Sequence, residues 1–188
     1  MAVTVTAATT AGLTELADVA ARTFPLACPP AVSAENVAAF IAANLSAARF
    51  ADYLQDPDRA VFTAVDDGRI VGYAMLIHGV PDDADVQRAV TARPAVELSK
   101  IYVLPESHGG TTSAALLQAV LDYALDCGAH CLWLGVNQQN QRAQRFYGKH
   151  QFTVAGTKTF TLGAAVEQDY VMVRPLPGHP GGGQRQQP

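Results

Sequence analysis

The stretch Glu97-Leu-Ser-Lys-Ile-Tyr-Val-Leu-Pro-Glu-Ser-His-Gly-Gly-Thr-Thr-Ser-Ala-Ala-Leu-Leu117 carries three elements in one breath. Val96 to Val103 is a strand-length apolar run closed by Leu104-Pro105, and the glycines that follow make a turn. From Ser113 to Cys127, the residues Leu116, Leu117, Val120, Leu121, Ala124 and Leu125 share one helical face, and Gly128 stops the helix. A strand that feeds a glycine turn into a helix start aims several free backbone N–H groups, and the positive end of the helix dipole, at one point. Such a point binds an anion. Taken alone the pattern also fits a turn that merely packs, since many strand-to-helix turns contain glycine.

A second unit of the same kind lies about thirty residues on. Cys131 to Val136 is a continuous apolar run, which suits a strand covered on both faces, and Asn137 to His150 presents Ala143, Phe146, Tyr147 and His150 at helical spacing. Outward from these units the period alternates. Val3 to Thr6 reads as a strand, Ala11 to Thr23 as a helix stopped at Phe24-Pro25, Ser33 as the cap of a helix through Leu45, and Ala47 to Leu54 as a further helical piece. Strands at Ala60–Val65 and Ile70–Ile77 flank a hairpin turn at Asp66-Asp67-Gly68-Arg69. Gly79 to Pro94 is polar and acidic, expected to be a mobile loop with one short helix. Two last strands, Phe152–Leu162 and Val166–Val173, precede a tail from Pro175 that has almost nothing to bury and is expected to be disordered.

Together the units, strand-Val-x-Pro-Glu with a glycine turn and then Asn140-x-x-Ala143-x-x-Phe146-Tyr147-x-Lys149-x-x-Phe152, resemble motifs A and B of the GNAT superfamily of N-acetyltransferases. The order β-α-α-β-β-β-α-β-α-β-β is similar to that family over residues 2 to 174. The resemblance implies an α+β fold in one domain over residues 1–174. It would be a twisted mixed sheet of about seven strands flanked by about four helices, with splayed central parallel strands that hold acetyl-CoA. On the same resemblance, main-chain groups of Ile101, Tyr102 and Val103 line the pantetheine arm, and the turn formed by His108, Gly109, Gly110, Thr111, Thr112 and Ser113 grips the pyrophosphate. Asn140 faces the pantetheine, and Tyr147 protonates the departing thiolate, a role suited to a phenol that is protonated at neutral pH. The turn departs from the family pattern in carrying His108 where a charged or amide side chain is usual, and Gln151 stands where a glycine is more common.

Narrower pieces, Leu98-Ser-Lys-Ile-Tyr-Val, Leu132-Trp-Leu-Gly-Val and Phe160-Thr-Leu-Gly-Ala-Ala-Val-Glu-Gln-Asp-Tyr-Val-Met, are similar to bacterial Pai-type spermidine/spermine N-acetyltransferases. That resemblance implies a small amine acceptor such as a polyamine, and it leaves room for a homodimer. Strand alternation puts Glu97 and Ser99 on the face of Ile101 and Val103, so Glu97 either leads toward the acceptor amine and relays its proton or is a solvated strand-end carboxylate. By spacing alone Tyr147 also fits a core aromatic. Asp82, Asp83 and Asp85 either draw a polycation or are solvated loop acids.

Composition limits the alternatives. The 188 residues are 49% hydrophobic and 16% charged, which excludes a wholly disordered chain, and 13 Lys+Arg against 17 Asp+Glu give a net charge of −4 that disfavours nucleic-acid binding. No apolar run is long enough to span a membrane and no secretory signal is readable, so a cytoplasmic protein is expected. Cys28, Cys127 and Cys131 read as buried thiols, and neither they nor His78, His130 and His150 have the spacing of metal ligands, so no metal is expected. Two functions fit: an acetyltransferase working by direct transfer in a ternary complex, or a CoA-binding regulatory module of the same fold with little turnover.

Overall fold

The computed structural model describes residues 3–108, 110–163 and 165–177, so most of the expected tail, and Gly109 of the expected turn, lie outside the described residues. Thirteen elements follow the chain: β1 (Thr4–Ala7), α1 (Leu13–Thr23), α2 (Ala34–Asn44), α3 (Ala47–Gln55), β2 (Arg59–Asp66), β3 (Arg69–His78), α4 (Ala84–Ala89), β4 (Ala95–Val103), α5 (Thr112–Asp126), β5 (Cys131–Asn137), α6 (Gln141–Lys149), β6 (Thr153–Leu162) and β7 (Ala165–Pro175). The seven strands form one mixed sheet in the order β1-β2-β3-β4-β5-β7-β6. Among the described residues its only parallel pair is β4 with β5. Six α-helices flank the sheet where about four were expected, the difference being the short α3 and α4. None of the described helices is long and apolar enough to cross a membrane.

Local chemistry sets the boundaries. Ser33 caps α2 by accepting from the N–H of Asn36 at 3.2 Å, and Ser46 caps α3 by accepting from Arg49 at 3.3 Å. Asp67 and Gly68, at φ 48° and 74°, make the β2–β3 hairpin with both central residues left-handed, the turn whose twist matches its strands. Gln151 has φ 67°, which explains why the commoner residue there is glycine: a side chain in this region is held against its preference.

The central strands of the sheet are buried on both faces. Along β5, Leu132, Leu134 and Val136 pack under α5 with Leu116, Leu117 and Val120, while Cys131 and Trp133 point the other way to Val86 and Val90 beside α4. On that second face, α1 and α3 cover β2 and β3 with Leu16, Val19, Phe50 and Tyr73.

Three expectations are corrected. The acidic stretch after Gly79 is docked: Val86 and Val90 are buried, and the Trp133 indole N–H donates to the carbonyl of Gly79 at 3.1 Å. Pro175, the expected start of the tail, ends β7, and Leu176 is buried with its N–H on the carbonyl of His130 at 2.9 Å. Of the three cysteines only Cys131 is buried, Cys28 being half-buried and Cys127 exposed.

Gly72 on β3 tests how tightly the strands beside the site are held. A Cβ there would stand 2.8 Å from the carbonyl oxygen of Tyr102 and 3.0 Å from Cγ2 of Val103. Gly72→Ala is expected to destabilise the protein by about 1–3 kcal/mol through overpacking. The midpoint of a thermal melt should then fall by roughly 2–4 °C for each kcal/mol. An unchanged midpoint would mean that β3 and β4 separate without cost.

Candidate active site

β4 and β5 pair at Ala95 with Cys131, Val96 with Leu132 and Glu97 with Trp133, and no further. Beyond that point the two strands diverge. The Leu104 N–H donates to the Val71 carbonyl at 2.8 Å, which sets the antiparallel alternation: main-chain groups of Tyr102 face β3, and those of Ile101 and Val103 face the gap. Tyr102 was expected to offer its main chain. It offers its ring instead, on the far face beside Tyr73, with ring centroids 5.8 Å apart.

A bulge re-aims the rest of β4. Met75 pairs with Lys100 but Leu76 pairs with Leu98, so Ser99 is an extra residue that resets the alternation. Leu98 and Ile101 therefore both pack on the α5 face, while Glu97 lies on the opposite face with Lys100 and Tyr102. The expectation that Glu97 shares the face of Ile101 and Val103 is corrected by that one residue.

At the open end of the gap, α5 begins with no acidic residue in its first turn and no side-chain cap from Thr111, which leaves its first N–H groups available to an anion. Gly110 and Thr111 are exposed and Ser113 lines the cavity, but Thr112 is buried and could contribute only its main chain. The His108 ring donates from Nε2 to the carbonyl of Val103 at 2.8 Å, so that nitrogen ties down the end of β4 and is not free for a phosphate. Across the gap, Asn140 lines the cavity while its Oδ1 accepts from the Ala143 N–H at 3.1 Å; it caps α6, which starts later than expected. Tyr147 packs edge-on against Phe146 and Phe152 and faces the cavity. Burial, with Tyr102 nearby, pushes its hydroxyl above the ordinary tyrosine range, so it holds its proton.

The cavity of about 380 Å³ continues past Glu97 to a charged end that the sequence did not reveal. Lys158 on β6 and Asp169 on β7 are register partners, and both lie over Gly135 of β5. A Cβ on Gly135 would be 2.5 Å from Cε of Lys158, 3.2 Å from its Nζ and 3.3 Å from Oδ2 of Asp169. The glycine is what lets the lysine reach across β5. Burial raises Glu97 against the pull of Lys158, Lys100 and Arg59, and burial raises Asp169 with Glu167 adding to it and Lys158 opposing. Lys100 falls to about 8, chiefly by burial, with Arg59 and Lys158 pushing the same way and Glu97 opposing. Asp82, Asp83 and Asp85 take no part in the cavity: Asp83 caps α4 and Asp85 pairs with Arg88.

A sheet that parts between its two central parallel strands, with main-chain groups lining the gap and a helix start at its mouth, is the architecture of an N-acetyltransferase. The family model for the acetyltransferase (GNAT) family matches residues 19–152, and the chain belongs to that family. It is 62% identical over 162 residues to an uncharacterized N-acetyltransferase of Mycobacterium tuberculosis, covering 86% of this chain and 96% of that protein. Among solved structures it is similar to the PaiA N-acetyltransferase of Thermoplasma acidophilum in complex with coenzyme A, with a TM-score of 0.74 at 19% identity over 94% of this chain and 100% of that one. It is also similar to a ribosomal-protein-alanine N-acetyltransferase of Brucella melitensis, with a TM-score of 0.67 at 19% identity over 92% and 99% of the two chains. These neighbours share the fold.

The buried lysine makes a prediction about stability. Its value of about 8 in the folded protein lies below the ordinary 10.5, so between these pH values the unfolded chain binds the extra proton and stability rises with pH. Lys100→Met should remove that rise and stabilise the protein at pH 7 by up to about 3 kcal/mol. Urea titrations at pH 7 and pH 10 read both effects; equal pH dependence in the two proteins would place the ammonium in water.

Proposed function

We propose that the chain transfers the acetyl group of acetyl-CoA to the primary amine of a small molecule, by direct attack in a ternary complex. The single observation that carries the proposal is the gap beyond Glu97, where main-chain groups of Ile101 and Val103 have no partner strand and lead to the open start of α5. These features fit a pantetheine arm and a pyrophosphate. Acetyl-CoA supplies the thioester; the protein supplies alignment and proton handling.

In this proposal the Val103 N–H faces the acetyl carbonyl oxygen and stabilises the negative charge that grows there. An alkylammonium, with a pKa near 10.4, cannot attack until it loses a proton. Glu97, half-buried and raised above the ordinary carboxylate range by burial, takes that proton directly or through a water. The amine nitrogen bonds to the acetyl carbon, the carbon–sulfur bond breaks, the Tyr147 hydroxyl gives its proton to the leaving sulfur, and the second nitrogen proton passes back to the tyrosinate, directly or through water, leaving a neutral amide. The raised tyrosine suits this role, because it is fully protonated when the step begins.

A polyamine acceptor has two supports, the Pai-like sequence pieces and the similarity to the PaiA structure. The third support, attraction by Asp82, Asp83 and Asp85, is withdrawn because none of the three lines the cavity, and Asp83 and Asp85 are engaged at α4.

Acetyl-CoA at 100 times its Kd should add about 2.7 kcal/mol of stability, seen as a raised thermal midpoint. No shift at millimolar acetyl-CoA would overturn the assignment. Tyr147→Phe should keep that shift and lower kcat by about 10²–10⁴-fold, the worth of a general acid. Measurable turnover in the parent protein separates the enzyme from a module that only holds CoA, and an unchanged kcat in the variant would make Tyr147 a packing residue.

A further inference from the structure

The far end of the cavity is built for more than an amine. Lys100 and Lys158 both line it, and neither has a carboxylate within 4.0 Å among the described residues. Among the described residues the one hydrogen-bond partner of the Lys100 ammonium is the Ser99 hydroxyl at 3.4 Å, so a half-buried cation is left without an ion pair. Arg59, by contrast, is held by Asp56 at 3.0 Å and lies over the Tyr53 ring. An ammonium drawn partly out of water without a close ion pair is costly, and the bare position Gly135 leaves the room in which Lys158 lies over β5 beside Asp169.

Glu97 and Asp169 stand among these lysines, so the wall carries both signs close together. A polyamine brings only positive charge to it and meets two ammonium groups of the same sign. A molecule with an oxyanion a few bonds from its amine matches both signs at once.

We propose that the acceptor is a small zwitterion, a primary amine that carries a carboxylate or phosphate group, with its anion held between Lys158 and Lys100 and its amine turned to Glu97. This inference rests on the acetyl-transfer proposal and narrows its acceptor. The lysines have a second effect on the same chemistry: positive charge near the bound amine lowers the amine's own pKa and favours the neutral form that attacks. Lys158 is then a residue that determines specificity, placed by Gly135, and Lys100 shares the load.

The test is a matched panel assayed for CoA release: amino acids against their amides, aminoalkyl phosphates against the corresponding amino alcohols, and spermidine and spermine. Each pair keeps the amine and removes the anion, and the two pair types tell carboxylate from phosphate. The anionic member of at least one pair type should exceed its neutral partner in kcat/KM by about 10- to 100-fold, the scale of one lost hydrogen bond to a charged group. In Lys158→Met that ratio should fall toward one, mainly through a higher KM for the anionic member, and Lys158→Arg should keep most of it. A retained acetyl-CoA thermal shift in both variants shows that they fold. Polyamines or neutral amines turned over faster than every zwitterion, or a ratio unmoved by Lys158→Met, would overturn the inference. So would a protein that binds acetyl-CoA but acetylates no zwitterion, leaving the acetyl-transfer proposal standing; failure to bind acetyl-CoA at all sinks both.

Discussion

Three cross-strand positions, Ala95 with Cys131 through Glu97 with Trp133, join the two halves of this sheet, and the site depends on the pairing ending there. A parallel ladder carried on to Val103 and Asn137 would have consumed the main-chain groups of Ile101 and Val103. Because it stops, those groups face a cavity while the same strand is held on its other edge by β3 as far as Val103. Packing holds the divergence open. Leu98 and Val103 of β4 and Leu134 and Val136 of β5 are anchored under α5, so the gap is walled by a buried core rather than by mobile loops.

The bulge at Ser99 adds a second constraint on the same strand. One extra residue lets β4 present apolar Leu98 and Ile101 to α5 and still turn Glu97 and Lys100 toward the opposite face. The cost is a buried carboxyl and a buried amine whose protonation is pushed toward neutrality from both directions. Strained protonation of this kind destabilises the fold. It also leaves a carboxyl and two ammonium groups on one wall of the cavity, an arrangement in which stability is given up for charge held at a site.

Much of the architecture was legible in local residue chemistry. Ser33 as a cap, Asp67-Gly68 as a left-handed hairpin turn and Gly128 as a helix stop each follow from the conformational limits of a few neighbouring residues. The apolar run from Cys131 to Val136 announced a strand covered on both faces, and both faces are covered. The acidic stretch after Gly79 was misread as mobile because Val86 and Val90 acquire their partners only from Trp133 and the strands around it.

For the site, the sequence by itself determined the two strand-to-helix units, a helix start expected at Ser113 and found one residue earlier at Thr112, and the presence of Tyr147 on the second helix, because each depends on spacing within one short segment. The tertiary structure alone decided which way Glu97 points, that Tyr102 contributes a ring, that His108 closes on Val103, and that Lys158 and Asp169 join Glu97 and Lys100. A bulge leaves no mark that alternation can read, since it depends on the pairing of β4 with β3. Lys158 and Asp169 come from strands 50 or more residues beyond Lys100, and they meet over β5 because Gly135 there has no side chain to stand in the way.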